Sequence, residues 1–303
     1  MLKIKLKNIE FSSPLIAASG TYGYGDEFDS FVDLNKIGCI ITKSITIEER
    51  KGNPSPRVYE SDSGMINSIG LANMGVENFC KLKLPKLNKI DTNFIVSIAG
   101  SKIQDYLDVL ARIEQYNGNQ IGYEINVSCP NVKKGGMEFG LNKDITFKLT
   151  QELRKITDKI LIIKLSPNVT NIEEIGLSAE KGGADAISAV NTFSGLAIDY
   201  KTGNMLLSTK YGGVSGPPIK PLALAKIHKL YSKVSIPILG MGGIVSFKDV
   251  IEFIRVGSTM IQIGTLNYRD PSLINALYND LELFLIKEKI MDISDLIGNY
   301  NDS

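Results

Sequence analysis

Histidine and cysteine are nearly missing from this chain of 303 residues, which holds one His and three Cys. Cys39, Cys80 and Cys129 show no C-x-x-C spacing, and with a single histidine they cannot build an ordinary zinc or iron–sulfur site. His228 lies in "LALAKIHKLYSK", a stretch with helical spacing and away from any strand end. Its placement removes Ser-His-Asp and Cys-His chemistry. An odd cysteine count without a disulfide framework points to a reducing compartment. An excess of one charge sign is lacking too: 34 basic residues face 33 acidic ones. This gives no electrostatic case for nucleic acid or an anionic membrane, although a small anionic substrate needs only a local cation. No apolar run approaches the ~18 residues of a membrane helix. The opening "MLKIKLKNIEF" lacks the apolar core and cleavage site of a signal peptide. The expected setting is cytoplasmic. No Pro/Ser-rich linker divides the chain, so a single domain over 1–303 is expected.

What is present is one recurring unit: a short apolar strand, a Gly- or Asn-containing loop, then a helical segment. The strands expected are "PLIAAS" (Pro14–Ser19), "GCIITKS" (Gly38–Ser44), "NFIVSIAG" (Asn93–Gly100) and "GYEINVS" (Gly122–Ser128). They continue with "ILIIKLS" (Ile160–Ser166), "DAISAV" (Asp185–Val190), "IPILGMGG" (Ile236–Gly243) and "MIQIGT" (Met260–Thr265). Near-continuous apolar runs suit parallel strands covered on both faces. Ile103, Leu107, Leu110 and Ile113 share a helical face, Ser246 with Asp249 marks a helix start, and Asp270-Pro271 reads as N-cap and first-turn proline. Eight such units predict an α/β fold, a (β/α)8 TIM barrel, preceded by an N-terminal β-hairpin in which apolar and Lys residues alternate. A doubly wound sheet is the alternative, but no G-x-G-x-x-G follows the first strand. Two long insertions, Arg50–Leu87 and Asn191–Pro221, follow barrel strands and are expected to be lids on the C-terminal face.

In a barrel the strand ends converge on one pocket. There stand Ser19, Lys43, Ser44, Ser97, Asn126, Lys164, Asn191, Gly242, Gly243, Gly264 and Thr265. A lysine buried at the tail of an apolar strand needs an anionic partner. Glycines after the seventh and eighth strands suit a phosphate cradled by backbone N–H groups. Asn67, Asn126, Asn131 and Asn191 offer the donors and acceptors that an imide ring edge matches, although Asx turns are the commoner fate of a loop asparagine. Cys39, inside a strand, and Cys80, on a helix, read as packing residues. That leaves Cys129, in "INVSCPNVKKGG" (Ile125–Gly136), without an imidazole.

These residues carry a resemblance. "INVSCPN", "NSIGL" (Asn67–Leu71), "ITKS", "VSIAG", "IIKLSP", "VNT", "SGPPIKP", "GMGGI" and "QIGT" together resemble class 1 dihydroorotate dehydrogenase over nearly the whole chain. "GTYGYG", the "NTFSG" to "GGVSGPPIKP" segment and "ILGMGGI" look most like class 1B, the NAD-linked type. The resemblance implies a flavoprotein barrel holding a single flavin mononucleotide (FMN), an oxidoreductase of pyrimidine biosynthesis that converts (S)-dihydroorotate to orotate. It makes Cys129 a general base taking a proton from C5 while hydride leaves C6 for the flavin. A thiol with a free pKa of about 8.5 can do this without histidine once positioned.

Carried over by position, Lys43 meets the substrate carboxylate and lies near the flavin. Asn67, Ser68, Ile69, Gly70, Leu71, Asn126, Asn131, Asn191 and Thr192 hold the pyrimidine. Lys164 stabilises the reduced flavin; Ser19, Ser44, Ser97, Asn126, Val190 and Gly216 line it. Gly242, Gly243, Gly264 and Thr265 take its phosphate. Ser97 stands where many class 1B members have Asn, and Gly216-Pro217-Pro218 replaces Gly-Pro-Ala. The chain has no NAD fingerprint and no cysteine cluster, so the route to NAD+ would run through a partner subunit carrying FAD and a 2Fe-2S cluster. The implied assembly is a homodimer of this chain inside a heterotetramer.

Alternatives are a class 1A homodimer passing electrons to fumarate and a barrel that binds a phosphorylated ligand without catalysis. A tRNA-modifying relative is disfavoured by the balanced charge, and a dihydropyrimidine dehydrogenase by the missing iron–sulfur segments.

Overall fold

The computed structural model describes residues 1–27, 32–128 and 139–301. Its strands in chain order are β1 (Ile4–Leu6), β2 (Ile9–Phe11), β3 (Leu15–Ala17), β4 (Cys39–Ile41), β5 (Val58–Ser61), β6 (Gly64–Asn67) and β7 (Asn93–Ile98). Then come β8 (Gly122–Asn126), β9 (Ile160–Lys164), β10 (Ala186–Ala189), β11 (Phe193–Gly195), β12 (Gly212–Ser215), β13 (Ile238–Met241) and β14 (Met260–Ile263).

All eight apolar runs form strands of one closed barrel, ordered β10-β13-β14-β3-β4-β7-β8-β9. The pairing of β14 with β3, Gln262 opposite Ile16, completes the ring and rules out an open doubly wound sheet. Every residue of β3, β4, β9, β10, β13 and β14 is buried, because helices cover the outside and facing side chains fill the inside. One continuous apolar core runs from Leu2 to Leu296, with a small satellite of Ile66, Ala197 and Leu207. The β1–β2 hairpin closes the opposite end: Lys7 Nζ donates to Asp158 O at 3.0 Å and lies 3.1 Å from Asp185 Oδ1, both just before barrel strands. No helix among the described residues is long and apolar enough to cross a membrane.

Three local expectations change. The helix Ile103–Glu114 buries Tyr106, Val109, Leu110 and Ile113, while Ile103 and Leu107 are only partly covered, so the stripe is rotated towards Tyr106. The helix expected to start at Asp270-Pro271 starts at Leu273, with Ser272 at the N-cap position but making no side-chain cap. Asp270 instead ends the short helix Leu266–Arg269 and turns the chain by accepting from Ser272 N at 2.8 Å. The long insertions are not bare loops: β5, β6, β11 and β12 pair into an antiparallel sheet ordered β11-β12-β6-β5. Strands reading "GMIN" and "GGVS" carry no two-residue alternation of burial, so only pairing partners distant in sequence reveal them. The Ser246–Asp249 signal holds as a reciprocal capping box on the helix Phe247–Arg255.

Gly122 opens β8, and a Cβ there would stand 2.4 Å from the Ile160 carbonyl oxygen of β9. Gly122→Ala is expected to destabilise the chain by about 1–3 kcal/mol through overpacking against backbone that cannot move aside. A urea midpoint unchanged from the parent would contradict this packing of β8 against β9.

Candidate active site

The C-terminal ends of the barrel strands and the antiparallel sheet enclose a cavity of about 1760 Å³. Single small-molecule sites run to about 1,000 Å³, so this one has room for two ligands side by side. Its wall is polar where the strands end, because each inward-facing strand terminus leaves the apolar core there.

Lys43, two residues past β4, lines the cavity and is half-buried. Among the described residues its ammonium has no carboxylate within ion-pair distance. Burial holds its pKa below the ordinary lysine value, the nearby Arg57 guanidinium adds to this, and Glu27 opposes it. A bound anion would act against both by stabilising the charged form. Beside it Ser44 and Ser19 form a hydroxyl chain: Ser19 Oγ donates to Thr42 O at 2.9 Å and stands 3.4 Å from Ser44 Oγ. Ser97 does not reach the cavity. It is fully buried behind Ser44, with the two hydroxyls 2.8 Å apart, so it orients Ser44 from below.

Amide groups meet opposite. Asn191 Nδ2 donates to Ser128 Oγ at 2.9 Å and to Asn126 Oδ1 at 3.3 Å, while Asn191 Oδ1 accepts from Thr192 N at 2.8 Å. Asn126 sits at the end of β8 opposite Lys164 in register, and Asn67 ends β6 opposite Gly213 of β12. The Ser68–Leu71 turn follows directly. Asn53 supports it by donating Nδ2 to Ser68 O at 2.8 Å and N to Ile69 O at 3.0 Å. Leu71 has φ 56°. A branched side chain rarely takes that left-handed geometry, and such strain marks functional sites.

Lys164, at the end of β9, lines the same cavity but is paired: Nζ lies 3.3 Å from Glu124 Oε1. The anionic partner that sequence reasoning sought in a ligand is therefore a side chain of the protein. Glu124 and its neighbour Gln262 were passed over; their signal was a polar residue in the middle of an apolar strand, in "GYEIN" and "MIQI".

The far end is built of backbone. Gly242 and Gly243 follow β13 with φ 128° and 76°, and a Cβ on Gly243 would stand 2.8 Å from Gly216 O and 2.9 Å from Lys220 N. Only glycine lets these segments touch. Among the described residues the N–H groups of Gly242, Gly243 and Gly264 donate to no backbone acceptor. Free backbone donors at the ends of β13 and β14, beside Thr265, suit a phosphate. Val190 and Gly216 line the wall between this end and the asparagines. Glycine-flanked donors, a lysine beside the amides and the volume together fit FMN.

Cys129 and Asn131 lie outside the described residues. The other thiols are remote from chemistry. Burial pushes Cys80 up to about 11 and raises Cys39 as well, with Glu124 adding to the latter. His228 is exposed on an outer helix, its Nε2 2.9 Å from Tyr300 Oη. Arg57, which faces Lys43 electrostatically, is a further residue that the sequence reading did not single out.

The family model described as Dihydroorotate dehydrogenase matches residues 1–285. Among curated proteins, one from Thermoanaerobacter sp. (strain X514) is 42% identical over 298 residues, covering 98% of both chains. One from Geotalea uraniireducens (strain Rf4) is 40% identical over 297 residues, 98% of this chain and 97% of its own. A third, from Caldicellulosiruptor saccharolyticus, is 41% identical over 300 residues, 99% of each. All three bear the name dihydroorotate dehydrogenase B (NAD(+)), catalytic subunit. With barrel, cavity and a match of this extent in agreement, the chain belongs to the dihydroorotate dehydrogenase family.

Proposed function

We propose that residues 1–303 form one FMN-binding barrel domain that oxidises (S)-dihydroorotate to orotate in pyrimidine biosynthesis. The observation that carries this reading is the one cavity in which Lys43, without a carboxylate partner among the described residues, the Asn67/Asn126/Asn191 amides and the glycine-lined ends of β13 and β14 meet. When bound, FMN supplies the hydride acceptor. The chain's own residues do the rest. Lys43 binds the substrate carboxylate. Asn67, Asn126, Asn131, Asn191 and Thr192, with the Ser68–Leu71 backbone, hold the ring by its amide and imide edges and so fix which face meets the cofactor. Cys129 removes the C5 proton as a general base. Ser19, Lys43, Ser44, Asn126, Val190 and Gly216 line the flavin, with Ser97 acting through Ser44. Gly242, Gly243, Gly264 and Thr265 take its phosphate.

The relatives' shared name, with "NAD(+)" and "catalytic subunit" in it, supports NAD+ rather than fumarate as final acceptor and a partner subunit as the route. We assign that partner FAD and a 2Fe-2S cluster, in a heterotetramer built on a homodimer of this chain. The unpaired, buried Cys39 and Cys80 agree with a cytoplasmic setting.

Anaerobic titration of the purified chain with (S)-dihydroorotate is expected to bleach the flavin stoichiometrically; a yellow protein that dihydroorotate leaves unbleached overturns the substrate. Cys129→Ala is expected to keep the flavin and slow its reduction by about 10²–10⁴-fold, the range of a lost general base. Near-normal reduction in stopped flow would remove the assignment. Cys129→Ser should retain a little activity, displaced to higher pH.

Two pH dependences oppose each other. Flavin reduction rises with pH as the Cys129 thiol ionises. Substrate affinity falls with pH, because Lys43 holds the carboxylate only while protonated and its pKa lies below the ordinary lysine value. Dihydroorotate binding to Cys129→Ala, measured across the alkaline range, should weaken earlier than an ordinary lysine would dictate. In Cys129→Ala/Lys43→Ala binding is weak throughout and flat with pH, while flavin affinity changes less.

A further inference from the structure

The barrel interior holds a charged group that the reading above leaves without a task. Glu124, in the middle of β8, has 0% exposure, a placement carboxylates take only when paired. One of its oxygens lies 3.3 Å from Lys164 Nζ. The other accepts from Ser188 Oγ and from Gln262 Nε2, both at 2.7 Å. Gln262 Nε2 also reaches Ser188 Oγ at 2.7 Å, which ties β14 to β10 through the same carboxylate. Side chains from β9, β10 and, across the barrel, β14 thus hold the Glu124 carboxylate.

Stability alone does not account for such a pair. Replacing a buried ion pair by apolar side chains is often neutral or stabilising, so its presence points to a use of the charge. Lys164 and Gln262 line the cavity, and Glu124 does not. Glu124 stands two residues deeper on β8 than Asn126, the register partner of Lys164. Glu124 therefore meets a ligand only through its partners, and of the two that line the cavity Lys164 is the one that carries charge.

We infer that Glu124, clamped by Ser188 and Gln262, is a positioning residue that holds the Lys164 ammonium aimed at the cavity wall, where it meets the electron-rich edge of the bound flavin. The inference rests on the FMN reading. Without the carboxylate the Lys164 ammonium loses the side-chain partner that fixes its place at the end of β9. Removing the carboxylate charge should therefore silence Lys164 even though the lysine is still there.

The test is a double-substitution cycle on the full chain: parent, Glu124→Gln, Lys164→Met and both together. FMN affinity is read by fluorescence titration of the cofactor-free protein. Glu124→Gln should weaken it by about tenfold or more, the worth of one charge-assisted hydrogen bond. In the Lys164→Met background the same change should matter less than about twofold. The flavin midpoint potential should fall in Glu124→Gln and Lys164→Met alike, since less positive charge faces the reduced ring, and no further in the double variant.

The thermal midpoint of the cofactor-free chain gives a readout independent of flavin. Lys164→Met strands a buried carboxylate and lowers it; adding Glu124→Gln restores part of the loss. Should Glu124→Gln alone fail to fold, this pair still decides. Equal losses of FMN affinity with and without Lys164, or a double variant no more stable than Lys164→Met, would overturn the inference. A parent chain that takes up no FMN would sink the cofactor reading and this role with it. A parent that binds FMN normally but shows no coupling sinks only the role of Glu124.

Discussion

Closure of the eight-stranded sheet is the constraint on which everything else rests. Once β14 pairs with β3 the barrel has no free edge, every strand is covered on both faces, and all eight C-terminal ends point to one opening. Residues separated by more than two hundred positions, such as Ser19 and Thr265, become neighbours around one cavity for that reason alone. The apolar runs that close the ring also force any polar side chain inside it to find a partner.

That demand separates the two lysines at the strand ends. Lys43 sits just beyond its strand, half-buried and with no carboxylate in ion-pair range among the described residues, so its charge is available to a small anion. Lys164 is the last residue of its strand and nearly enclosed, and Glu124 answers its charge from within the protein. One lysine is thus left open to a small anion, and the charge of the other is answered by a counter-ion inside the barrel. The glycines after β13 and β14 work by the opposite principle, presenting backbone donors where a side chain would collide with Gly216 or Lys220.

The insertions after β4 and β10 complete the enclosure. They are distant in sequence, yet β6 and β12 pair with Asn67 opposite Gly213, which brings the Asn67–Leu71 segment to the cavity wall. The hairpin at the other end does the reverse work, sealing the barrel bottom through Lys7. Function and stability therefore occupy opposite faces, as the fold requires.

The periodicity of the chain alone determined the eight barrel strands, the helix starting at Ser246 and the residues at the strand ends, because buried parallel strands and capping boxes are written in adjacent positions. It also picked out Lys43, Lys164, the asparagines and the paired glycines. Tertiary structure alone decided what depends on pairing across the chain. The lid sheet arises from Gly-rich strands with no alternation. Ser97 stands behind Ser44 rather than in the cavity, and Glu124 and Gln262 look like interruptions of apolar strands until the barrel brings Lys164 and Ser188 to them. A local pattern reports which way a side chain faces. Only closure of the ring decides which other side chain it finds there.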